Sequence, residues 1–312
     1  MKTNFLKIAG LSIALGMMVV SCNKDDSSTT PSNQVTSAVI DSQTANDQSE
    51  SAYQLADDAT FLPFGGRNFR ETGEALDKGD GGHFPNLGGG WDKIWKGKDD
   101  NCATVTKTVA NNIITIVYDF SAVAGGVCGS KAVGGKMTIT IPVKPEALFS
   151  GTMVRTVTYD NLKRDTLTLN GSHTITTTLV SGKATASEKL ATMTILNSNT
   201  KKIITYTSNR SRKIDDKATT DRADDESSVT GSTTGKSSDG TTFSTVITKA
   251  LLTKNSCNDS KGFPVSGSEE VTTTAGVKTV VDYGTGTCDL KYTETTNGVT
   301  VEKEKTKGKG KK

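Results

Sequence analysis

Hydrophobic and polar positions alternate along most of the chain beyond residue 102, and the polar position is usually threonine. Thr104, Thr106 and Thr108 fall at every second position, as do Thr138 and Thr140, Thr156 and Thr158, Thr166 and Thr168, and Thr174, Thr176 and Thr178. A β-branched polar residue alternating with Val, Ile or Leu marks a strand with one buried and one wet face. The pattern predicts strands over 113–120, 136–143, 151–160, 165–180, 190–197 and 201–214, and again over 227–234, 241–252, 266–274, 277–283, 289–296 and 299–304. The pairs Asn170-Gly171, Asp239-Gly240 and Asn297-Gly298 between them are hairpin formers. Strands joined by turns this short run antiparallel, because a parallel pair needs a long crossover. The expected fold is all-β: a large antiparallel meandering sheet over residues 102–304, curled into a sandwich or an open barrel to bury its apolar face.

The residues before 102 lack this pattern. Lys2 and Lys7 flank the start of a 13-residue apolar run, Ile8 to Val20, well short of the roughly 20 residues that span a bilayer as a helix. With small Ser21 just before Cys22, residues 1–21 have the layout of a secretory signal peptide that is removed. Val19-Val20-Ser21-Cys22 resembles a bacterial lipobox, in which the cysteine becomes the acylated first residue of the mature protein. Residues 22–48 are small, polar and nearly free of aromatics, and read as a disordered tether. Ala52, Leu55, Ala56 and Ala59 recur at helical spacing and predict one short helix near Glu50–Phe61. The rest of 49–101 is a glycine-rich lead-in that holds both tryptophans, Trp91 and Trp95, and residues 305–312 form a basic disordered tail.

Charge and cysteine content narrow the function classes. Residues 303–312 carry six lysines and one glutamate; removing their +5 from the net +3 leaves −2, and removing Lys2 and Lys7 with the signal leaves −4. A protein that grips phosphates presents a basic face or stripe. Here the excess cations sit in the tail, so nucleic acid is set aside as a partner. With 33% hydrophobic residues the core is thin. Of five cysteines, lipidation of Cys22 leaves Cys102, Cys128, Cys257 and Cys288, an even set for an oxidising compartment.

Two blocks repeat around those cysteines. The first runs Cys102, Val117-Tyr118-Asp119-Phe120, then Gly125-Gly126-Val127-Cys128; the second runs Cys257, Val280-Val281-Asp282-Tyr283, then Gly284-Thr285-Gly286-Thr287-Cys288. Each is a cysteine, a strand ending in Asp-aromatic, a glycine loop and a second cysteine. Four cysteines allow three pairings. The repeat favours Cys102–Cys128 with Cys257–Cys288, and suggests two related β halves.

Lipobox, acidic tether, the paired Asp-aromatic and Gly-x-Cys blocks, and Arg210-Ser211-Arg212 ahead of Asp224-Asp225 together resemble a widespread family of uncharacterised surface lipoproteins of Bacteroidota. The resemblance covers most of residues 1–304 and implies no particular activity. In that group a lysine-acidic run just after the lipidated cysteine is similar to the signal for export to the outer face of the outer membrane, and Lys24-Asp25-Asp26 matches it.

Motifs for chemistry are scarce. Only His83 and His173 are present, neither with a second histidine at helical or hairpin spacing, so no metal site is expected. A Ser-His-Asp triad lacks the Gly-x-Ser-x-Gly elbow it needs. Ser198-Asn199-Thr200-Lys201 has the spacing of a Ser-x-x-Lys nucleophile but falls in an expected hairpin turn, and His173 reads as a surface or cross-strand residue. Gly231 to Ser237 is one residue short of a phosphate-binding loop, has no helix after it, and reads as a turn. The acidic run Asp215 to Glu226 is interleaved with Arg and Lys and reads as a solvated mixed-charge loop rather than a calcium site. No cofactor is expected. Trp91 and Trp95, four apart, are the candidate ligand-binding pair, suited to stacking on a glycan.

The leading expectation is a lipid-anchored outer-membrane surface protein, a non-enzymatic binding or structural module with a glycan or protein partner. The alternatives are an enzyme acting on extracellular polysaccharide, with Asp119, Asp282, Glu269 and Glu270 as nominal carboxylates, and a carrier of an apolar ligand in an open barrel. A filled interior favours the first, facing carboxylates the second, and an empty apolar funnel the third.

Overall fold

The computed structural model describes residues 31–61, 103–121, 123–128, 131–142, 151–180, 183–219, 224–257 and 263–305. Among the described residues there is one α-helix, α1 (Pro31–Phe61), followed by fourteen strands. These are β1 (Thr104–Ala110), β2 (Ile113–Asp119), β3 (Val127–Cys128), β4 (Lys131–Pro142), β5 (Gly151–Arg164), β6 (Leu167–Val180) and β7 (Lys183–Asn197). The chain continues through β8 (Ile203–Asp215), β9 (Glu226–Ser237), β10 (Thr242–Lys254), β11 (Ser266–Thr273), β12 (Lys278–Thr285), β13 (Lys291–Thr296) and β14 (Val299–Glu304).

The strands form a single sheet in chain order from β1 to β14, with only the short β3 off the path, paired to β4. Each neighbouring pair is antiparallel, for example Thr138↔Thr158 between β4 and β5 and Thr207↔Thr234 between β8 and β9. The fold is therefore all-β, a meander whose edge strands β1 and β14 do not pair with each other. Alternation decides which side chains go inside. On β5, Met153, Arg155, Val157 and Tyr159 are buried while Val154, Thr156 and Thr158 face out. The core continues along the inner face through Ile114 and Ile116 of β2, Met137 and Ile139 of β4, Ile175 of β6 and Met193 of β7.

The inner face changes character beyond β7. Ser208, Thr233, Ser237 and Thr245 are buried there among apolar residues such as Tyr206, Phe243 and Ile247, and α1 packs across β8 to β12 on that side. The helix starts at Pro31, which is tolerated at a first helical position because its missing N–H has no intrahelical partner to lose. Residues 31–48, expected as a disordered tether, are therefore helical, and the short helix expected near Glu50 is the end of a longer one. The reason is a stripe of small residues spaced alternately three and four apart: Val35, Ala38, Ser42, Ala45 and Ser49 are all at most 7% exposed. Small side chains at that period let a helix lie close on a sheet, although their low hydrophobicity made the segment resemble a solvated linker.

Two further expectations are corrected. Asn170-Gly171 lies inside β6 and is not a hairpin turn. Gly171 has φ +123°, and a Cβ there would meet the Thr192 carbonyl oxygen at 2.2 Å. Opposite it, the register of β5 shifts between Tyr159 and Leu162, with Asn161 at φ +48°. Asn161 N–H donates to Asn170 Oδ1 at 2.8 Å and Asn170 Nδ2 donates to Asn161 Oδ1 at 3.2 Å. The pair is a bulge that bends the strands, the other common use of glycine in a strand. Similarly, Gly231 to Ser237 continues β9, and the turn comes after it at Ser238–Gly240. Gly231 (φ +129°) sits against the Asn209 carbonyl of β8 much as Gly171 sits against Thr192.

Cys257 and Cys288 are disulfide-bonded, with Cα atoms 5.1 Å apart, as expected. The bond ties the end of β10 to the β12–β13 connection and contributes roughly 3.5 kcal/mol by the loop-entropy argument. Cys128 is buried and disulfide-bonded, and Cys102 lies outside the described residues. With Cys257 and Cys288 joined to each other, neither is available to Cys102.

The bend at Gly231 yields a test. A methyl group there would meet backbone at 2.2 Å, whereas Gly240 (φ +89°) has nothing within 4 Å of its Cβ position. Gly240→Ala carries only the left-handed backbone penalty, about 1–2 kcal/mol, while Gly231→Ala adds a backbone displacement of roughly 1–3 kcal/mol. Urea unfolding of the two variants measures the difference, and equal midpoints would remove Gly231 from this role.

Candidate functional site

The polar inner face under α1 is the densest concentration of charged and hydrogen-bonding groups among the described residues. Strand register builds it. His173, Ala191, Ser208, Thr233 and Thr245 are successive partners across β6 to β10. One inward position along, Lys189 of β7 pairs with Arg210 of β8, and Arg212 follows two residues later. These side chains face inward because Ser208, Arg210 and Arg212 alternate with outward Asn209 and Ser211, as a strand requires.

The helix supplies the complementary groups. Asp41 bonds Ser237 and pairs with Lys202 at 2.8 Å; Ser42 bonds Thr245; Thr233 donates to Asn46 Oδ1 at 3.0 Å. Ser49 Oγ lies 3.4 Å from His173 Nε2, and His173 Nδ1 lies 3.2 Å from the Tyr159 hydroxyl. Glu50 is held by Lys189 Nζ at 3.0 Å and by the Arg212 guanidinium. A second buried pair lies further along the sheet, where Tyr283 donates to Glu269 Oε1 at 3.0 Å and Arg210 approaches the other oxygen at 3.9 Å.

Burial and neighbours set the charge states. Burial alone would raise Glu50, but Arg212 and Lys189 outweigh it and hold the carboxyl at about 2. Lys189 goes the other way, down to about 8, because burial and the nearby guanidinium groups exceed the attraction of the one carboxylate. The asymmetry is physical: Glu50 has two cations to itself, and the cations share one anion. Burial, helped by Lys189, lowers His173 to about 3, so its imidazole is neutral at ordinary pH. Burial also raises Glu269 despite Arg210 and the Tyr283 hydroxyl.

Ser49 and His173 form a nucleophile–base contact in distance, but the arrangement cannot act on a substrate. The serine is 1% and the histidine 0% exposed. The group orienting the imidazole is a phenol, which does not stabilise an imidazolium as a carboxylate would. The contact seats the helix. His173, read as a surface or cross-strand residue, is thus a buried one whose ring stacks edge-on against Tyr159 of the neighbouring strand, centroids 5.5 Å apart.

The four nominal carboxylates are not brought together. Asp119 ends β2, pairs with Lys136 at 3.0 Å and caps Ser121 N–H at 2.9 Å. Asp282, on β12 at the other end of the sheet order, caps Gly284 N–H at 2.7 Å. In both repeated blocks the aspartate accepts from an amide two residues on, at the end of β2 for Asp119 and at a bulge within β12 for Asp282, and the aromatic after it, Phe120 or Tyr283, enters the core. Glu269 and Glu270 are adjacent in β11 and face opposite sides, with Glu270 paired to Lys278 at 2.9 Å. Asp215, Lys217 and Glu226 form the expected mixed-charge group, and among the described residues no cluster of three His, Cys, Asp or Glu could hold a metal ion. Ser198 to Thr200 form a turn, with Asn197 Oδ1 accepting from Asn199 and Thr200 N–H.

Cys22, Lys24, Asp25, Asp26, His83, Trp91, Trp95 and Cys102 lie outside the described residues. The residues that sequence reasoning missed are Glu50, Lys189 and the inward roles of Arg210, Arg212 and Glu269. The available signal was charge at inward positions of otherwise alternating strands, which calls for a buried partner. No protein-family profile, curated protein or solved structure matches the chain.

Acid titration tests the seat of α1. The Glu50 carboxyl is lowered from 4.5 to about 2, so its contribution is complete above pH 4.5 and is lost as pH falls through 2, about 3 kcal/mol in all. Glu50→Gln leaves Lys189 and Arg212 facing a neutral amide, and destabilises the protein by about 3–5 kcal/mol at pH 7. Urea midpoints recorded from pH 2 to pH 7 should show the wild-type gain between 2 and 4.5 shrinking in this variant. An unchanged acid limb would place the stabilising carboxylate elsewhere.

Proposed function

We propose that the chain is a lipid-anchored, non-enzymatic binding module displayed on the outer face of an outer membrane. The observation that carries the non-enzymatic part is the filled inner face: α1 covers the sheet from β8 to β12, and its polar side chains are committed to partners on the strands. A polysaccharide-cleaving site needs two carboxylates flanking one bond, and the four nominal ones point to different places. An apolar carrier needs an apolar funnel, and Lys189, Arg210 and Glu269 occupy the inner face instead.

Attachment rests on Cys22 and its lipobox-like setting. Each buried methylene of an acyl chain contributes about 0.8 kcal/mol, so several chains on one cysteine hold the protein at a membrane essentially permanently. Lys24-Asp25-Asp26 is the charged cluster next to that anchor and supports presentation to the medium. Among the described residues no helix is long and apolar enough to cross a membrane. The partner expected for a displayed module is a glycan or a protein.

Fatty-acid labelling and protease shaving of intact cells test this reading together. The wild type should take up labelled palmitate and be cut while the cells remain sealed; Cys22→Ala should lose the label. Changing Lys24, Asp25 and Asp26 to alanine should leave the label and prevent cleavage. Cleavage equal to wild type in the triple variant would remove those residues from the sorting role, and an unlabelled wild type would remove the anchor.

A further inference from the structure

The outer face of the sheet carries a second pattern. Along one line perpendicular to the strands, β4 to β11 present Thr or Ser at every register position, from Thr138 through Thr158 and Thr207 to Thr272. No charged residue interrupts that line before Lys278 of β12, the partner of Thr272, in a chain that is 23% charged. Over β8 to β11 the line borders a shallow depression of about 640 Å³. It crosses four strands, about 15 Å at ordinary strand spacing. Thr207 and Thr234 lie on one side of it, and Thr205, Lys236, Thr242 and Thr274 on the other.

The hydroxyls there are paired with one another. Thr207 and Thr234 are 2.9 Å apart, Thr205 bonds Thr194 at 3.3 Å, and Thr242 bonds Thr274. Two hydroxyls hold two donors and four lone pairs between them, so a pair that shares one hydrogen bond offers one donor and three lone pairs outward. The exposed lining is mostly carbon surface, the threonine methyls prominent in it, with hydroxyl acceptors spaced along it, so an occupant must bring both donors and C–H faces. An anionic polymer brings acceptors and meets a single cation, Lys236. An apolar occupant would strip water from the lone pairs without replacing it. A neutral polyhydroxylated chain brings donors and acceptors together, and its C–H faces match the threonine methyls. The methyl and hydroxyl of each threonine are held by its stiff χ1, so little freedom is lost on binding.

We infer that the outer-face depression across β8 to β11 is a binding site for a neutral glycan chain lying across the strands. This rests on the reading of the protein as a displayed binding module, and gives that module its ligand class and its address. The interior, closed by α1, stays shut, and the site is read from the face opposite to it.

The test is affinity electrophoresis of the full mature chain through gels containing hydroxyethyl cellulose, a neutral mannan or polygalacturonate. Retardation by a neutral polymer is expected. Thr207→Val with Thr234→Val keeps shape and strand propensity but removes the hydroxyl pair, and should weaken retardation about tenfold. Ser244→Arg, which blocks the depression without touching that pair, should do the same. Thr152→Val, outside the depression on β5, should change nothing. Matching circular dichroism and melting temperatures establish that the variants are folded, and Ser244→Arg carries the test if the double valine variant is not. Retardation that both groove variants retain overturns the site but leaves a binding module. Retardation by polygalacturonate alone overturns the ligand class, and migration unaffected by all three polymers overturns the glycan site, while the display of the module is judged separately by labelling and shaving.

Discussion

Glu50 sits between Lys189 and Arg212, and much of the architecture follows from that one buried carboxylate. Two inward cations on neighbouring strands would be prohibitive to bury in an apolar interior, so β7 and β8 can carry them only if something anionic covers them. A helix is the economical source, because its backbone is internally satisfied and it can bring acids and hydroxyls without exposing unpaired amides. Asp41 and Glu50 lie nine residues apart on α1 and fix both its position along the sheet and its rotation. With those two points set, Ser42, Asn46 and Ser49 fall opposite Thr245, Thr233 and His173. The helix is located by charge and registered by hydroxyls.

That arrangement explains how a chain with so few hydrophobic residues closes a sheet of this size. The inner face carries buried aliphatic and aromatic residues from β2 to β12, and polar and charged ones are set among them from β5 onward, with α1 covering β8 to β12. The buried surface under the helix contributes less per unit area than an apolar core would, and its hydrogen bonds are each worth only about 1 kcal/mol net. What it supplies is specificity. A polar seat tolerates one register, since any slip leaves several groups buried and unpaired. The disulfide between Cys257 and Cys288 then secures the later strands, whose outer neighbours β13 and β14 carry no fully buried residue.

The strands were legible because their signal is local. Period-two alternation depends on nothing beyond the strand itself, and twelve expected strands have counterparts close to the expected positions. The helix was not legible as far back as Pro31, because its signal lies in its partner. Val35, Ala38, Ser42, Ala45 and Ser49 follow a regular spacing of three and four, yet their burial makes sense only against a sheet lined with serine and threonine. Asn170-Gly171 misled for a related reason: the same dipeptide serves a hairpin turn and a bulge, and only the shifted register of β5 opposite it distinguishes the two. In the Asp-aromatic blocks Asp119 and Asp282 each accept from an amide two residues on, at the end of β2 and at a bulge within β12, a local role that the dipeptide alone does not reveal.

Threonine has two different employments in this sheet, and the difference bears on where function can reside. Facing inward, Thr233 and Thr245 bond Asn46 and Ser42 and are buried beneath α1, out of reach of a ligand. Facing outward, threonines bond one another across strands and keep most of their capacity for solvent or an occupant. β-propensity alone explains threonine on an exposed face, but it does not explain eight successive uncharged positions, since charge is tolerated where the line ends, at Lys278 opposite Thr272, and at Glu270 one outward position along. A constraint that acts on one line of one face, in a protein whose interior is already committed, belongs to what that face meets.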